Sequence, residues 1–335
     1  SSDVCSSDLY VDKSITLDGD GHKLITSAAR GIRVTTANVN VTIKNLEIPR
    51  NSNIERGIQI DSNIDDVSLT LDNVKAAGTM YAVVVIAGSD RPALTLKNVE
   101  LTAKYPVHIA IVDNPTLVIQ NSQLEGYCAM ELYGNEGTAT IEDSTLIGVN
   151  NAGYNAAGWN NYGVIVIEGD TTGQTQNGAS RYDITVKNTA IVVDSTNGNG
   201  QRAILYNIHS AENAITLENC TVEFKNENCT FLCDNGADSV TKLKGTTVYG
   251  TENIPDLPEG YCYVDDGEYK LVAKAVAQIG TTKYGSLAAA FAAAADGDTV
   301  QLLDNVTLAE PLNVALDNKA VVLDLGGMTL TGRTN

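Results

Sequence analysis

The sequence predicts an all-β solenoid, in which parallel sheets are wound round one apolar core. A short phrase recurs along the chain, an alternating apolar run, an Asn and a second alternating run, as in VTIKNLEI, LTLDNV, LTLKNVEL, LVIQNSQL, ITVKNTAI and ITLENCTV. The phrase returns after about 22 to 31 residues, which is an interval typical of solenoid repeats. The segments between the copies lack a helical period. These three observations predict coils of short strands connected by turns.

Each copy of the phrase is predicted to be two strands that meet at the Asn. Apolar residues at Val41, Ile43, Leu46 and Ile48 alternate with polar ones, which is the period of a strand. We expect the Asn to adopt the left-handed conformation at a tight corner, with amides of successive coils stacked along the axis. The predicted corner residues are Asn45, Asn73, Asn98, Asn121, Asn188 and Asn219, with Asp143 and Gly245 as substitutes.

A second set of strands precedes these, in GIQID, YAVVVIA, HIAIV, AMELY, GVIVIE and AILYNI. Leucine-rich repeats have a similar period, but they leave two residues between the last strand leucine and the Asn. Here only one residue separates Leu96 from Asn98. The chain resembles the right-handed parallel β-helix of the pectin-lyase-like superfamily over essentially its whole length, as found in tandem-module, adhesin-like bacterial surface proteins. That resemblance implies the fold but no particular activity.

The sequence divides into four segments. Residues 1–9, SSDVCSSDL, have the look of a translated sequencing adapter and are left out of the fold prediction. The β-helix is expected over residues 10–250, without its N-terminal cap. Residues 251–274 contain Pro and Gly and are predicted to be a linker with a short hairpin. Residues 275–335 are predicted to hold a capping helix and the first strands of a second, truncated β-helix module.

Two patterns predict that second module. The run SLAAAFAAAADG is typical of a short amphipathic helix, with Ser286 as its N-cap and Gly297 at its end. The segment YVDKSITLDGDGHKLIT from Tyr10 aligns with LDNKAVVLDLGGMTLT from Leu316, at an offset of about 306 residues, far more than one coil. We therefore expect neighbouring β-helix modules in one chain.

Composition excludes several functions. The chain carries 41 acidic and 22 basic residues, a formal net charge of −19, which repels nucleic acid and anionic lipid. No apolar stretch is long enough to cross a bilayer. Cysteines without paired spacing are predicted to be buried thiols, at Cys128, Cys220, Cys229, Cys233 and Cys262.

No cofactor or metal site is predicted. The DGDG run at Asp18 resembles a calcium loop, but the equivalent DLGG at Asp324 lacks the second acid, so a turn is the better interpretation. An extracellular or cell-surface location is expected from the acidic, Asn-rich, Thr-rich and Gly-rich composition, and no signal peptide is recognised in this fragment. A polysaccharide or host glycan is the expected partner.

The only long insertion, between Asp143 and Asn188, is the first candidate site. It holds aromatic rings and amides in glycine-rich sequence, a combination that suits sugar, because rings pack on the apolar face of a pyranose while amides bond its hydroxyls. The predicted glycan-binding residues are Tyr154, Trp159, Asn161 and Tyr162. The alternative is that these aromatic residues only hold a long loop on the surface.

A catalytic site is the second candidate. Glu131 and Glu168 are expected on adjacent coils with Arg181 nearby, and two carboxylates can act as acid and base. The resemblance implies that enzymes of this fold are polysaccharide lyases or glycoside hydrolases. The outward positions of the first strand set are expected to be too apolar for a cation, at Gln59, Val85, Ala110, Glu131, Val166 and Asn207. The favoured function is a non-catalytic, rigid scaffold for adhesion or glycan contact.

Overall fold

Short parallel strands, stacked coil upon coil, build the first of two units. The computed structural model describes residues 7–151, 153–154, 162–169, 180–196, 200–207, 210–234, 239–249, 257, 260–312, 314 and 318–332. Unit 1 comprises Ser1–Ser239 with Gly245–Asp256, and unit 2 comprises Val240–Lys244 with Leu257–Asn335. The predicted all-β parallel solenoid is confirmed.

The first sheet of unit 1 takes one strand from each coil. It contains nine parallel strands, in the spatial order in which they follow one another along the chain. Parallel neighbours of this kind are stabilised by an apolar core on the inner face. The strands are β1 (Leu9–Val11), β3 (Arg30–Val34), β5 (Arg56–Ile60), β7 (Tyr81–Val85), β10 (Tyr105–Asp113), β13 (Met130–Asn135), β16 (Tyr162–Ile167), β19 (Gln201–Tyr206) and β22 (Cys229–Asp234).

The remaining strands of unit 1 carry the Asn-centred phrase. Each pairs in parallel with the equivalent strand of the next described coil, for instance Leu94 with Leu117 and Leu117 with Ala139. They are β2 (Ile15–Lys23), β4 (Asn40–Ile48), β6 (Ser68–Ala77), β8 (Ala93–Lys97), β9 (Glu100–Thr102), β11 (Thr116–Gln120), β12 (Gln123–Gly126), β14 (Gly137–Glu142), β15 (Thr145–Asn150), β17 (Tyr182–Lys187), β18 (Ala190–Ser195), β20 (Ala214–Glu218), β21 (Thr221–Phe224) and β24 (Thr247–Tyr249).

The Asn residues of the phrase occupy left-handed corners. Their φ angles lie between 48° and 54°, and the substitutes Asp143 and Gly245 have φ of 50° and 58°. Side-chain amides bond from coil to coil: Asn73 Nδ2 donates to Asn45 Oδ1 at 2.9 Å, and Asn121 Nδ2 donates to Asn98 Oδ1 at 2.6 Å. An Asn tolerates this conformation because its short polar side chain bonds locally. Each corner therefore turns the chain and ties one coil to the next.

The core of unit 1 lies between these sheets. Inward residues of the first sheet form a continuous row of fully buried apolar side chains, and the alternating residues of the phrase face them. Such a row excludes water along the whole unit, which provides its main stabilising free energy. The row consists of Ile32, Ile58, Val83, Val107, Met130, Ile165, Ile204 and Leu232.

Unit 2 begins with antiparallel strands and continues with a helix and two parallel strand pairs. Its elements are β23 (Val240–Lys244), β25 (Tyr261–Asp266), β26 (Tyr269–Lys274), β27 (Ala277–Ile279), β28 (Thr282–Tyr284), α1 (Leu287–Ala293), β29 (Thr299–Leu302), β30 (Val306–Thr307), β31 (Val322–Asp324) and β32 (Leu330–Thr331). The strand β26 lies between β23 and β25 and is antiparallel to both. The strand β29 pairs in parallel with β31, and β30 pairs in parallel with β32.

Helix α1 covers the small core of unit 2. Its first residue follows the N-cap Ser286, whose hydroxyl accepts from the amide of Ala289 at 3.1 Å. The helix ends at Ala293, four residues before Gly297, because the carboxylate of Asp298 accepts from the amide of Ala295 and closes a separate turn. No helix in the described ranges is long and apolar enough to span a membrane.

The two aligned segments form the same turn in their separate units. Asp18 Oδ1 accepts from the amide of Asp20 at 3.0 Å, and Asp324 Oδ1 accepts from the amide of Gly326 at 2.9 Å. The amide of Asn45 also bonds Asp18, and these hydrogen bonds, with Lys44, lower the pKa of Asp18 to about 2. These bonds satisfy the Asp18 carboxylate within a turn.

Candidate functional site

The outer face of the first sheet carries a row of residues that are direct partners across successive strands. The register pairs Gln59 with Val84, Val84 with His108, His108 with Glu131, and Glu131 with Val166. Side chains that are partners in a parallel ladder point to the same side of the sheet. His108 and Glu131 therefore stand side by side on the outside of adjacent coils.

This register corrects the predicted outward row at three positions. Val85 pairs with Ile60 and Ile109 and faces the core, while Ala110 lies two residues beyond the row at His108. Asn207 likewise lies two residues beyond Leu205, which is the partner of Val166. The sequence of β7 does not show which residues face outward, because the outward Val84 and the inward Val85 are both fully buried valines. The outward row is therefore less apolar than expected, since it includes an imidazole beside a carboxylate.

An irregularity in β10 widens this part of the face. The pairing with β13 shifts between Ile109 and Val112, and Ile111 has φ of 42°. A β-branched residue rarely adopts this left-handed conformation, since its side chain then crowds the backbone. The bulge bends the strand away from the regular ladder next to His108, as bulges do near sites in other sheets.

A cleft opens over this part of the sheet. Its volume is about 480 Å³, which is within the range of small-molecule sites in proteins. Aromatic rings form most of its walls, and two carboxyl groups lie among them. The lining residues are Met80, Tyr81, Tyr105, His108, Ala110, Ile111, Glu131, Tyr133, Tyr162 and Glu168.

Glu131 is the better compensated of the two carboxyl groups. Its side chain is 6% exposed, and Nδ1 of His108 lies 2.5 Å from its Oε2. Nδ1 makes no in-line hydrogen bond in the described part of the chain. The hydroxyl of Tyr162 bonds the other oxygen, Oε1. Each oxygen of the Glu131 carboxyl thus has a polar neighbour.

Glu168 lies just beyond the end of β16 in a drier environment. The residue is 9% exposed, and its Oε1 lies 2.9 Å from the same hydroxyl of Tyr162. Burial raises the pKa of the Glu168 carboxyl above its usual value; the Tyr162 hydroxyl opposes that rise and the negative charge of Glu131 adds to it. The buried environment of Glu168 therefore favours its protonated form.

The single hydroxyl hydrogen of Tyr162 serves two carboxyl groups, those of Glu131 and Glu168. A phenol carries one hydrogen, so Tyr162 can donate to only one carboxylate at a time. Burial raises the pKa of Tyr162 far above its usual value, so it stays a neutral phenol. Burial raises the pKa of the Glu168 carboxyl, so burial favours a proton on Glu168 in the free site.

The rings around the carboxyl groups are in mutual contact. The ring of Tyr81 stacks on His108 with centroids 4.7 Å apart and on Tyr105 at 5.8 Å. Tyr133 meets His108 edge to face at 5.6 Å, and Tyr127 stacks on Tyr162 at 5.1 Å. Such arrangements contribute beyond simple burial and restrict each ring. The cleft therefore has walls that are fixed before any ligand binds.

Two cations of the chain lie on the outer side of this ring cluster. Nζ of Lys104 is 5.3 Å from the ring centre of Tyr105 and 5.7 Å from that of Tyr127. The guanidinium of Arg56 lies 5.8 Å from the ring centre of Tyr81. The faces of tyrosine rings attract cations through their negative quadrupole. The cluster is thus already used to hold alkylammonium and guanidinium groups.

Two of the four residues of the predicted glycan site, Tyr154 and Tyr162, are described, and both pack against one buried cluster that includes Tyr127. Tyr162 lines the cleft, whereas the hydroxyl of Tyr154 donates to Oε1 of Glu125 at 3.1 Å. Burial, together with Glu125, raises the pKa of Tyr154 to about 12. Trp159 and Asn161 lie outside the described residues.

Two of the three residues of the predicted catalytic site lie together, and the third does not. Glu131 and Glu168 meet through Tyr162. Arg181 is elsewhere, 3.2 Å from Glu136 and 3.4 Å from Glu212, so it does not join the two glutamates. Their catalytic role stays a prediction, and Arg181 has no part in the cleft.

Four aromatic residues of the cleft have no counterpart in the sequence prediction: Tyr81, Tyr105, His108 and Tyr133. Tyr81 and Tyr105 each begin a strand of the first sheet, and they are direct ladder partners. The available signal was positional, an aromatic residue three places before the outward residue in two successive coils. The predicted outward row does not show this signal, because it is displaced by one residue in β7 and by two residues in β10.

A second depression of similar volume, about 480 Å³, lies over the turns that follow the first sheet. Asp65, Asp90 and Asp113 line it, but Asp65 already accepts from the amide of Asp90, and Asp90 accepts from Asn114 at 2.9 Å. In the described part of the chain no group of three or more His, Cys, Asp or Glu side chains is placed to hold a metal ion. The tyrosine-lined cleft is therefore the better candidate.

Comparison with known proteins adds no assignment. No protein-family model matches the chain, and no curated protein sequence matches it.

Proposed function

We propose that this chain is a rigid β-helical segment of an extracellular bacterial protein, related to the pectin-lyase-like superfamily, and that it binds glycan in the tyrosine-lined cleft. The cleft is the observation that carries the proposal, because it joins ring faces to polar groups on one side of the sheet. Scaffolds of stacked strands hold such a surface without rearrangement. Adhesion to a polysaccharide or host glycan is the function that follows.

The chemistry of the walls supports a sugar ligand. Tyr81 and Tyr133 are half-buried, so each presents part of a ring to the cleft, and Tyr105 closes its floor. An aromatic face packs on the apolar face of a pyranose, while carboxyl and phenol groups bond its hydroxyls. A purely apolar ligand would cover Glu131 and Glu168 without adding a polar partner for either carboxyl group, which is unfavourable.

Glycoside hydrolysis is the second candidate function. It is favoured by one observation: Glu131 and Glu168 share the hydroxyl of Tyr162, and burial raises the pKa of Glu168. In this mechanism Glu168 would protonate the leaving oxygen of the sugar, and Glu131 would act as the base or nucleophile. Carboxyl groups bridged by one hydroxyl are close enough for the retaining geometry of about 5 Å rather than the wider inverting one.

A lyase is less well supported. The resemblance implies carboxylates that hold calcium and a basic residue that removes a proton, but Arg181 is engaged by Glu136 and Glu212. The cleft supplies two carboxyl groups in the described part of the chain, fewer than the six to eight oxygen ligands of a calcium ion, most of which are protein groups in dedicated sites.

Binding to a panel of acidic, neutral and amino polysaccharides tests the main proposal. Affinity gel electrophoresis of the whole chain should show retardation by at least one of them, and Tyr81→Ala should weaken it by about tenfold, as expected for a lost ring contact. Tyr10→Ala is the matched control, because Tyr10 is 58% exposed and outside the cleft. Equal retardation of the parent and Tyr81→Ala would contradict the assignment of the site.

Turnover separates the two candidates. Incubation with the same panel, followed by an assay for new reducing ends, should give none if the chain only binds. New ends that disappear in Glu131→Gln would replace the scaffold proposal with the hydrolase. Unsaturated products would indicate the lyase instead.

A further inference from the structure

Glu168 is a buried carboxyl group that forms no ion pair in the described part of the chain. Its neighbour Glu131, in contrast, has Nδ1 of His108 at 2.5 Å. Burying a carboxylate without an opposite charge is costly, so such a group either keeps a proton or finds a cation. The hydroxyl of Tyr162 donates to Oε1 of Glu168 at 2.9 Å, but this neutral phenol supplies no positive charge.

We propose that the glycan bound in this cleft carries a free amino group, as in a glucosamine-type sugar, and that its ammonium replaces the proton of Glu168. This inference rests on the proposed glycan-binding function and names the class of ligand. The ammonium would lie between the Glu168 carboxylate and the ring faces of the cleft, while the remaining sugar packs on Tyr81 and Tyr133.

Ring faces next to an acid favour an organic cation. Tyr81, Tyr105 and Tyr133 all line the cleft together with Glu168. Tyrosine faces attract an ammonium, and the attraction grows when the site is shielded from water. The outer side of the same cluster shows this preference within the chain, where Lys104 lies over Tyr105 and Arg56 over Tyr81.

A bare metal ion fits less well than an ammonium. Among the described residues no group of three or more His, Cys, Asp or Glu side chains is placed to hold a metal ion, and this includes the two glutamates with His108. A volume of about 480 Å³ also exceeds what a single ion needs, whereas it accommodates a sugar. A hard metal ion prefers a full shell of oxygen ligands, which rings and Met80 do not supply.

Exchange of a proton for an ammonium makes binding depend on pH. At low pH Glu168 keeps its proton, and the ligand must displace it, so the affinity falls. As the pH rises through the raised pKa of Glu168, the carboxylate forms and the affinity rises. The titratable and charged groups that face this carboxyl or its neighbouring rings are His108, Glu131, Cys128, Tyr133, Tyr162, Tyr81, Tyr105, Lys104 and Arg56.

Isothermal titration calorimetry of the whole chain with three short oligomers, of glucosamine, N-acetylglucosamine and glucose, tests the inference. At about pH 7 the glucosamine oligomer should bind about tenfold more tightly than its acetylated counterpart. The preference should shrink at about pH 4, where Glu168 holds its proton.

Two variants locate the effect. Glu168→Gln should remove the preference for the free amine, so that the glucosamine and N-acetylglucosamine oligomers bind with equal affinity. Glu136→Gln, at an exposed carboxylate that pairs with Arg181, should behave as the parent. Circular dichroism before each titration establishes that the variant is folded.

The outcomes separate the two proposals. Equal affinity of the parent for the free and acetylated oligomers would overturn the amine inference and leave glycan binding in place. A preference that survives in Glu168→Gln would also overturn it. Failure of every oligomer and polysaccharide to bind would overturn both the inference and the proposed function.

Discussion

The imidazole of His108 lies against the carboxylate of Glu131, with Nδ1 2.5 Å from Oε2, because the two residues are direct partners in the ladder between β10 and β13. Parallel pairing in register places equivalent residues of successive coils at a separation of about 4.8 Å. The register of the backbone therefore places the two side chains next to each other, whatever their own preferences. It follows that single substitutions in this row should alter the cleft without displacing the coils.

The stability of unit 1 should depend on pH through Glu168. Burial keeps the pKa of the folded Glu168 above its unfolded value, so the folded state binds the proton more tightly. The free energy of unfolding must then fall as the pH rises from the usual carboxyl pKa through the raised one. Glu168→Gln has no proton to lose, so we expect a flatter dependence between about pH 4 and pH 8.

Urea denaturation at a series of pH values measures this difference. Glu136→Gln serves as the control, because its exposed carboxylate should leave the pH profile of the parent unchanged. Parallel profiles for the parent and Glu168→Gln would show that burial does not perturb Glu168.

The Asn corners should owe their stability to two separable effects. Asn98 has φ of 53°, donates to Asp72 Oδ1 at 2.9 Å and accepts from Asn121. Asn98→Gly keeps the conformation accessible and loses the side-chain hydrogen bonds, at a cost of about 1 kcal/mol. Asn98→Ala loses the bonds and is also strained, so we expect about 1 kcal/mol more. Urea denaturation of both variants checks the order, and an Ala variant as stable as the Gly variant would contradict it.

The left-handed Ile111 should be a strained position. Asn adopts this conformation more readily than a β-branched residue, and Ile111 is partly exposed, so little apolar burial is lost. We expect Ile111→Asn to raise the free energy of unfolding by about 1 kcal/mol. Ile111→Val keeps the branched side chain and should change it by less than about 0.5 kcal/mol. Thermal denaturation monitored by circular dichroism measures both, and a destabilised Asn variant would refute the account.

The cysteines should differ in reactivity. Cys128 is fully buried, its Sγ donates to the carbonyl of Met130 at 3.0 Å, and burial raises the pKa of its thiol well above the usual value. Since the thiolate is the reactive form, Cys128 should resist iodoacetamide in the folded protein. Cys233 is only partly buried and should react first. Mass spectrometry of the labelled protein, folded and in urea, identifies the order; early labelling of Cys128 would contradict it.

Most of the fold can be predicted from the sequence, because its signal is local and repeated. The corner needs a residue that accepts φ near 50°, and Asn is the side chain that does so while bonding the next coil, as Asn73 bonds Asn45. The alternation of apolar and polar residues on either side of the Asn can be recognised in the sequence, because one side of each strand is partly exposed. The end of α1 was less predictable, because Asp298 closes a turn that competes with the expected stop at Gly297.

The site was only partly predictable. Glu131 and Glu168 stand out as acids in apolar strands, but their shared partner Tyr162 is apparent only from the folded arrangement. The face of β7 cannot be identified from its sequence, since Val83, Val84 and Val85 are all fully buried. The left-handed residue in β10 adds a second error, because a bulge changes the count along the strand.

The Asn corners also mark where this architecture can be edited. Asn98 and Asn121 hold equivalent places in consecutive coils, 23 residues apart, and their backbone and amide bonds have the same form. Removal or duplication of the chain between two such corners would preserve the parallel pairing of the coils. It would change only which outward residues are neighbours. Excision of that one coil would bring Val84 beside Glu131 and delete His108. A recognition surface built from one residue per coil can thus diversify by gain and loss of whole coils, with the scaffold conserved throughout.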